Sequence, residues 1–535
     1  MGKASTCPLR GAGGQNGVTM NEIDAHPTIG AASLSTISAL GTISRPPSPP
    51  RRLSDEALSA ASEYAPPAYS PIVVAGVVRI IEFGLICLVG FAVYAIYVVP
   101  TNGLSWHYPA AIVAIAALGI LAFQTGDIYH VPAFRSRAGQ YARLVSAWTV
   151  VFLLVSAVSF FGKLNDLVSR VWLIAFFIIG MVALVGFRIA LSGLIQHWTR
   201  QGRLTRRTVV VGGGELGEQL VGQFKAQRDS DVHIIGLFDD RNDGRSPDAC
   251  GDQRKLGTVD DLVEFARRTR VDLVIFSLPI SAETRLLQML RKLWVLPVDI
   301  RLAAHTNKLR FRPRSYSYLG NVPVLDVFDR PIADWDVVMK WLFDKIIGGL
   351  ILLLTAPLMA IIAIAIKLES RGPVIFRQKR YGFNNELIEV YKFRSMYADQ
   401  SDPTASKLVT KNDPRVTRLG RLLRKASLDE LPQLFNVVFK GNLSLVGPRP
   451  HAVNAKAEQR LYDEAVDGYF ARHRVKPGIT GWAQVNGWRG ETDTAEKIQN
   501  RVEHDLYYIE NWSLLFDLYI VARTPFALLK TEQAY

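Results

Sequence analysis

Five apolar runs and one alternating stretch organise the chain. The first four runs, at about 83–99, 108–123, 144–161 and 171–195, are nearly free of charge. Their lengths approach the roughly 20 residues that cross a bilayer as a helix, and the second is the shortest. Arg79 and Glu82 stand just before the first run, and Arg188 lies toward the end of the fourth. Arg79 and Glu82 are expected at the membrane interface, since either charge at mid-bilayer costs about 2.5–3.5 kcal/mol. From Thr205 the texture changes. Short β-branched runs at 209–211, 234–238, 271–278 and 298–302 alternate with helical patterns, which predicts a parallel sheet covered by helices. The fifth apolar run, 346–366, contains no charge and carries Pro357 near its middle. Ahead of all of these, residues 1–70 are rich in Ser, Pro, Ala and Gly and offer little apolar surface to offset ordering entropy. The pattern therefore divides into a disordered tail (1–70), a four-helix transmembrane bundle (71–200), an α/β domain (205–330) and a last domain (331–535) holding the fifth run.

Basic residues orient these pieces. Arg135, Arg137 and Arg143 lie between the second and third runs, and Arg200, Arg203, Arg206 and Arg207 follow the fourth, whereas 100–107 has no Lys or Arg. Both ends of the bundle are thus expected in the cytoplasm. The fifth run has Lys340 and Lys345 before it and Lys367, Arg371, Arg377, Lys379 and Arg380 after it. With both flanks basic, this segment is expected to enter the membrane and turn back, and Pro357, which removes a backbone donor and clashes with the preceding turn, supplies a cause.

Composition narrows the chemistry. Of 535 residues 49% are hydrophobic and 21% charged, with a mean hydropathy of +0.13. Disordered and collagen-like chains are excluded. Cys7, Cys87 and Cys250 lie too far apart for a disulfide framework or a cysteine zinc site, and the histidines show no metal-binding spacing. There are 62 Lys and Arg against 48 Asp and Glu, a net charge of +14. More than half of that surplus falls in 367–425, where fourteen basic residues face six acidic ones. Arginine forks pair with phosphate oxygens, and the same charges attract anionic headgroups. No stacking platform interleaves them, so nucleic acid is not an expected partner.

Two constellations carry candidate chemistry. Gly212, Gly214 and Gly217 follow a strand in a GxGxxG pattern, and Asp239 stands where a ribose-binding acid would. A nucleotide site at the helix N-terminus and a Rossmann-like domain whose ligand is lost or regulatory both fit. The second constellation is Asp429-Glu430, just before Pro432, which a helix tolerates only in its first turn. A helix from near Asp429 to about Phe439 follows. Asp429 could simply cap it while Glu430 complements the dipole. The adjacent arginines and membrane segment favour another reading, a phosphate and divalent-cation site. Its carboxylates would be Asp429 and Glu430, with one acting as a nucleophile toward phosphorus.

Four motifs occur in order: Lys392-Phe393-Arg394-Ser395-Met396, Ser427 to Gln433, Gly441 to Pro450 and Lys476 to Gly487. This series resembles the catalytic domain of the bacterial sugar transferase family, the monotopic phosphoglycosyl transferases, over roughly 331–535. The bundle plus Rossmann-like domain is similar to the family's large members. The ending from Trp488 to Thr494 and from Asp505 to Trp512 resembles the members that pass glucose 1-phosphate to undecaprenyl phosphate and so start exopolysaccharide synthesis. The resemblance implies a multi-pass protein of the bacterial inner membrane with its catalytic domain and re-entrant helix facing the cytoplasm. It implies a UDP-sugar and undecaprenyl phosphate as substrates, Mg2+ as cofactor, and a two-step reaction. Asp429 would be the nucleophile and Glu430 its partner near the metal. Lys392, Arg394, Arg424, Arg449, Gln484 and Asp505 would bind substrate, and a homodimer is left open. Two departures stand out: Ala356-Pro357 where many members have Ser-Pro, and Trp488 where many small members have Arg. A membrane nucleotide-sugar dehydratase would need a YxxxK pair, which the chain lacks. A nucleotide-sensing scaffold would leave the Asp-Glu pair and its arginines unexplained.

Overall fold

A computed structural model describes residues 52–126, 128–129, 137–162, 168–227, 231–241, 249–250, 253–279, 282–304, 317–320, 322–398, 413–451, 456–457, 460–461, 469–488 and 494–529. Most of the expected tail, Arg135, and part of the Trp488–Thr494 ending lie outside those residues.

The last part of the tail is not disordered. Helix α1 (Asp55–Ser62) packs on the α/β domain, with Leu53 and Ala57 buried, and Ser54 Oγ donates to the Leu256 carbonyl at 2.9 Å. Leu53, Ala57, Ala60 and Ala61 fall on one helical face, a periodicity that the tail's overall composition hides.

Five helices are long and apolar enough to cross a membrane among the described residues. The first four are α2 (Pro71–Val93, continued through a π turn to Asn102), α3 (His107–Thr125), α4 (Arg137–Phe161) and α5 (Arg170–Arg200). Ser70 caps α2 by accepting from Val73 N ahead of Pro71, and Ser169 caps α5 through Trp172 N. The bundle core is aromatic, built around Trp148, Trp172 and Phe176. Its helices approach closely at glycine: a Cβ on Gly180 would stand 2.8 Å from the Trp148 ring. Glu82 is turned into the bundle. It is fully buried and accepts both guanidinium bonds of Arg188, at 2.5 and 2.9 Å, plus the Tyr129 hydroxyl at 2.7 Å. Pairing across two helices removes the penalty that a lone charge would carry.

The α/β domain holds β1 (Arg206–Val211), α6 (Glu215–Ala226), β2 (Val232–Phe238), β3 (Ala249–Cys250), β4 (Gln253–Gly257), α7 (Val259–Arg268), β5 (Leu273–Phe276), α8 (Glu283–Leu293), β6 (Asp299–Ala303), β7 (Ser317–Leu319) and β8 (Val322–Phe328). The sheet order is β3-β4-β2-β1-β5-β6-β8-β7. Strands β4, β2, β1, β5 and β6 are parallel, while β3, β7 and β8 add antiparallel edges. Buried on both faces, the inner strands are continuous apolar runs, such as Val209 to Val211 at 0% exposure. The chain leaves β1 first to one side and then to the other, so the sheet's switch point lies at Gly212.

The fifth membrane-length helix, α9 (Asp334–Glu369), stays helical through Pro357. Thr355 Oγ1, two residues before the proline, bonds back to the Ile351 carbonyl at 2.8 Å. Beyond it come the hairpin β9 (Ile375–Tyr381) and β10 (Leu387–Phe393), then α10 (Arg418–Ala426), β11 (Ser444–Val446), β12 (Gly478–Thr480), α11 (Ala495–Glu510) and α12 (Leu514–Leu529). Near its start, α9 is held by Lys340 Nζ on the Val446 carbonyl (2.9 Å) and on Asp517 (2.5 Å). One turn on, Asp344 accepts from Leu445 N and Ser444 Oγ. Near its end, Arg394 donates to the carbonyls of Ser370 and Arg371, both at 2.8 Å.

Candidate active site

Four short segments build the site. In the β9–β10 hairpin Lys392 pairs with Phe376. Helix α10 stops at Ser427, whose φ of 54° puts a non-glycine residue in the left-handed region. That reversal starts a 3₁₀ turn, Leu428–Glu430, which runs through Pro432 into helical turns ending at Lys440. The expected helix is thus present, but Asp429 lies inside its first turn and Ser427 occupies the cap position.

Glu430 is clamped. Lys392 Nζ reaches its Oε1 at 2.8 Å, and Arg449 bonds both oxygens, at 2.5 and 3.2 Å. Burial would raise its carboxyl, but Arg449 and Lys392 prevail and hold it well below the usual glutamate range. Asp429 differs. It is 8% exposed and accepts no hydrogen bond among the described residues. Burial raises its carboxyl above the usual aspartate range, with Glu430 adding to the rise and Lys392 opposing it. Side by side, one carboxylate is neutralised by cations and the other has no hydrogen-bond partner among the described residues.

The loop bearing Arg449 is fixed by backbone contact between two of the motifs. Gly447 N donates to the Thr480 carbonyl (2.9 Å) and Gly478 N to the Pro448 carbonyl (3.0 Å). A Cβ on Gly447 would stand 2.5 Å from the Lys476 carbonyl, so only glycine allows this approach.

The remaining predicted residues separate. Arg424 donates to Ser395 Oγ at 2.9 Å, and its charge acts on Asp429. Arg394 is buried and turned to the carbonyls at the end of α9, which it caps. Gln484 donates to the Ile479 carbonyl at 3.3 Å, while its own buried carbonyl oxygen has no partner. Asp505 is buried against Arg472 at 2.5 Å, behind Arg449. Two cations at the site escaped the sequence reading. Arg380 donates to the Pro450 carbonyl at 2.5 Å. Burial lowers its guanidinium to about 10, and its charge acts on both Glu430 and Lys392. In sequence it reads only as a topological flank charge. Arg472, in the 3₁₀ turn Tyr469–Arg474, has no local signal beyond preceding Lys476-Pro477-Gly478.

For magnesium the fit is partial. No group of three acidic, His or Cys ligands exists among the described residues. Asp429 has a free, desolvated carboxylate, whereas both Glu430 oxygens are already on cations. Magnesium sites of one carboxylate completed by substrate phosphates are the usual pattern beside such a group.

In the α/β domain Gly212 and Gly214 take φ of 103° and 83°, and a Cβ on Gly217 would meet the Gly212 carbonyl at 2.7 Å. The glycine turn is therefore formed as expected. Asp239, however, accepts from Gly213 N (2.7 Å) and from the Arg241 fork (2.8 and 3.1 Å). Burial opposes its charge, yet Arg241 holds it down at about 2. Asp239, the residue expected to meet a ribose, is thus bonded by Arg241 and by the glycine turn itself.

A membrane-length helix docked on a buried acid pair within a cationic shell defines a membrane-attached enzyme for phosphate-bearing substrates. Residues 335–531 match the family described as bacterial sugar transferase, and residues 124–304 match one described as CoA-binding domain. The UDP-glucose:undecaprenyl-phosphate glucose-1-phosphate transferase of Escherichia coli (strain K12) is 36% identical over 81% of this chain and 92% of its own length. A protein of the same name from Xanthomonas campestris pv. campestris is 34% identical over 86% and 94%. The undecaprenyl-phosphate glucose phosphotransferase of Komagataeibacter xylinus is 42% identical over 60% and 59%. The chain belongs to the bacterial sugar transferase family.

Proposed function

We propose that the protein transfers glucose 1-phosphate from UDP-glucose to undecaprenyl phosphate, releasing UMP, as the first step of exopolysaccharide repeat-unit assembly. The observation that carries this reading is the asymmetry of the acid pair: Glu430 is held by Lys392 and Arg449, while Asp429 is unpaired. The names of the relatives supply the substrates. An Asp429 oxygen attacks the β-phosphorus of UDP-glucose, the bond from that phosphorus to UMP breaks, and glucose 1-phosphate remains on Asp429 as an acyl phosphate. A phosphate oxygen of the lipid then attacks the same phosphorus and frees the Asp429 carboxylate. Lys392, Arg380 and Arg449 surround the place where diphosphate charge would lie, and Arg449 can leave Glu430 for a phosphate fork. Asp429 would hold magnesium, whose charge would screen the diphosphate and stabilise the leaving UMP.

The reading places the catalytic domain on the cytoplasmic face of the inner membrane with α9 re-entrant. Its support is the basic residues on both flanks of the charge-free run within α9, Lys340 and Lys345 before it and Lys367 and Arg371 after it, with Pro357 between them. Vesicles containing undecaprenyl phosphate and the wild-type protein should release UMP from UDP-glucose, and Asp429→Asn vesicles should not. Equal release from both would remove Asp429 from the mechanism.

A further inference from the structure

We propose that Arg472 is a positioning residue for the transfer, holding the Arg449 loop in the one arrangement that presents Arg449 to the acid pair and to the substrate phosphate. The inference rests on the reading of Arg449 as a phosphate-binding group.

Arg472 is 1% exposed, and its guanidinium ties three separate segments together. It donates to Asp505 Oδ2 on α11 at 2.5 Å, to the Arg449 carbonyl at 2.7 Å and to His451 Nδ1 at 2.8 Å. Arginine can only donate, so the His451 ring accepts from it. Burial and the neighbouring Arg472 charge both keep that ring neutral. Each carbonyl of the loop's turn is then claimed from a different direction: Pro448 by Gly478 N, Arg449 by Arg472 and Pro450 by Arg380. Arg472 makes no contact with Asp429 or Glu430, so its action passes through Arg449.

A buried guanidinium is an expensive way merely to close a loop, because its charge must be desolvated and then matched by Asp505. Its planar fork does what a neutral donor could not, meeting a carboxylate, a carbonyl and a ring nitrogen at once. Lysine in its place would keep the charge and lose that span. The orientation of Arg449 would then be set by the loop alone, and small misplacements at such a site have large kinetic effects.

The test is a double-mutant cycle on the full-length protein in lipid nanodiscs, reading kcat/KM for UMP release from UDP-glucose. Arg472→Lys should lower kcat/KM about tenfold in the wild-type background and less than about twofold in an Arg449→Lys background, since coupled residues fail to add. If Arg472→Lys does not fold, Asp505→Asn loosens the same tether while keeping an acceptor, and it should show the same dependence on Arg449. Equal losses in both backgrounds would mean that Arg472 acts independently of Arg449, and the proposal falls. Absence of UMP release even from the wild-type protein would instead overturn the transferase reading, and this inference with it.

Discussion

Two adjacent carboxylates acquire different chemistry from their partners alone. Glu430 is in direct contact with Lys392 and Arg449, and Asp429 feels both only through space. The Glu430 carboxyl lies below its ordinary value when folded. Its stabilising contribution is therefore complete above the usual glutamate range and is lost as pH falls through the depressed folded value. Glu430→Gln strands two buried cations and should cost about 3 kcal/mol at neutral pH, measured by thermal or denaturant unfolding in detergent. Asp429 has the opposite sign. Its folded carboxyl is raised, so stability is lost as pH rises through that value, and at neutral pH the charge weakens the fold. Asp429→Asn should accordingly unfold at a higher temperature than wild type at pH 7, by roughly 1–2 kcal/mol of added stability, while losing activity. An unchanged or lower midpoint would contradict an unpaired Asp429. The acid pair was legible because its residues are contiguous and follow a basic run. Arg380 and Arg472 were not, because their partners Pro450 and Asp505 lie 70 and 33 positions away, at distances that only folding closes. The contacts of Arg394 were hidden for the same reason. A basic residue near a phosphate motif and a helix cap look alike until the end of α9 arrives beside it.

Ser427 governs how the acid pair is presented, at the scale of a single turn. A left-handed residue between α10 and the 3₁₀ turn reverses the chain so that Asp429 and Glu430 face the hairpin. Ser427→Gly should be tolerated, whereas Ser427→Val should cost about 1–3 kcal/mol and lower activity with it, as judged by unfolding and UMP release together. The apolar runs announced their elements well, since a charge-free stretch of that length has few other fates. Helix α1 was hidden because four small or apolar contacts within eight or nine positions carry little weight against a tail of Ser and Pro. Its identity comes from the α/β surface that it covers. Proline within α9 pointed to a turn back, and the structure has one helix running through it.

The molecule as a whole fastens a soluble-facing domain to both ends of one apolar helix and to a bundle beside it. Ser70 Oγ bonds Asp334 at 2.5 Å, and Gly76 lies against the Trp335 ring, so the bundle meets α9 at its first turn. The α/β domain meets the catalytic domain where Asn384 donates to the Ala266 carbonyl and Arg267 stacks over Phe470. Single cysteines at 338 and 373 should both react with an impermeant thiol reagent in inside-out vesicles and neither in right-side-out ones. Reaction from opposite sides would make α9 a spanning helix. The Arg241 partner of Asp239 was not readable, because it lies beside the GxGxxG pattern's acid without altering the pattern. The central claim is that Asp429 carries the sugar phosphate. Purified protein given UDP-glucose labelled in the sugar, without lipid acceptor, and then denatured should retain label on the chain. That label should be discharged when undecaprenyl phosphate is added first, and it should be absent in Asp429→Asn. Wild-type protein that turns over UDP-glucose yet never retains label, or an Asp429→Asn protein that retains it, would contradict the account.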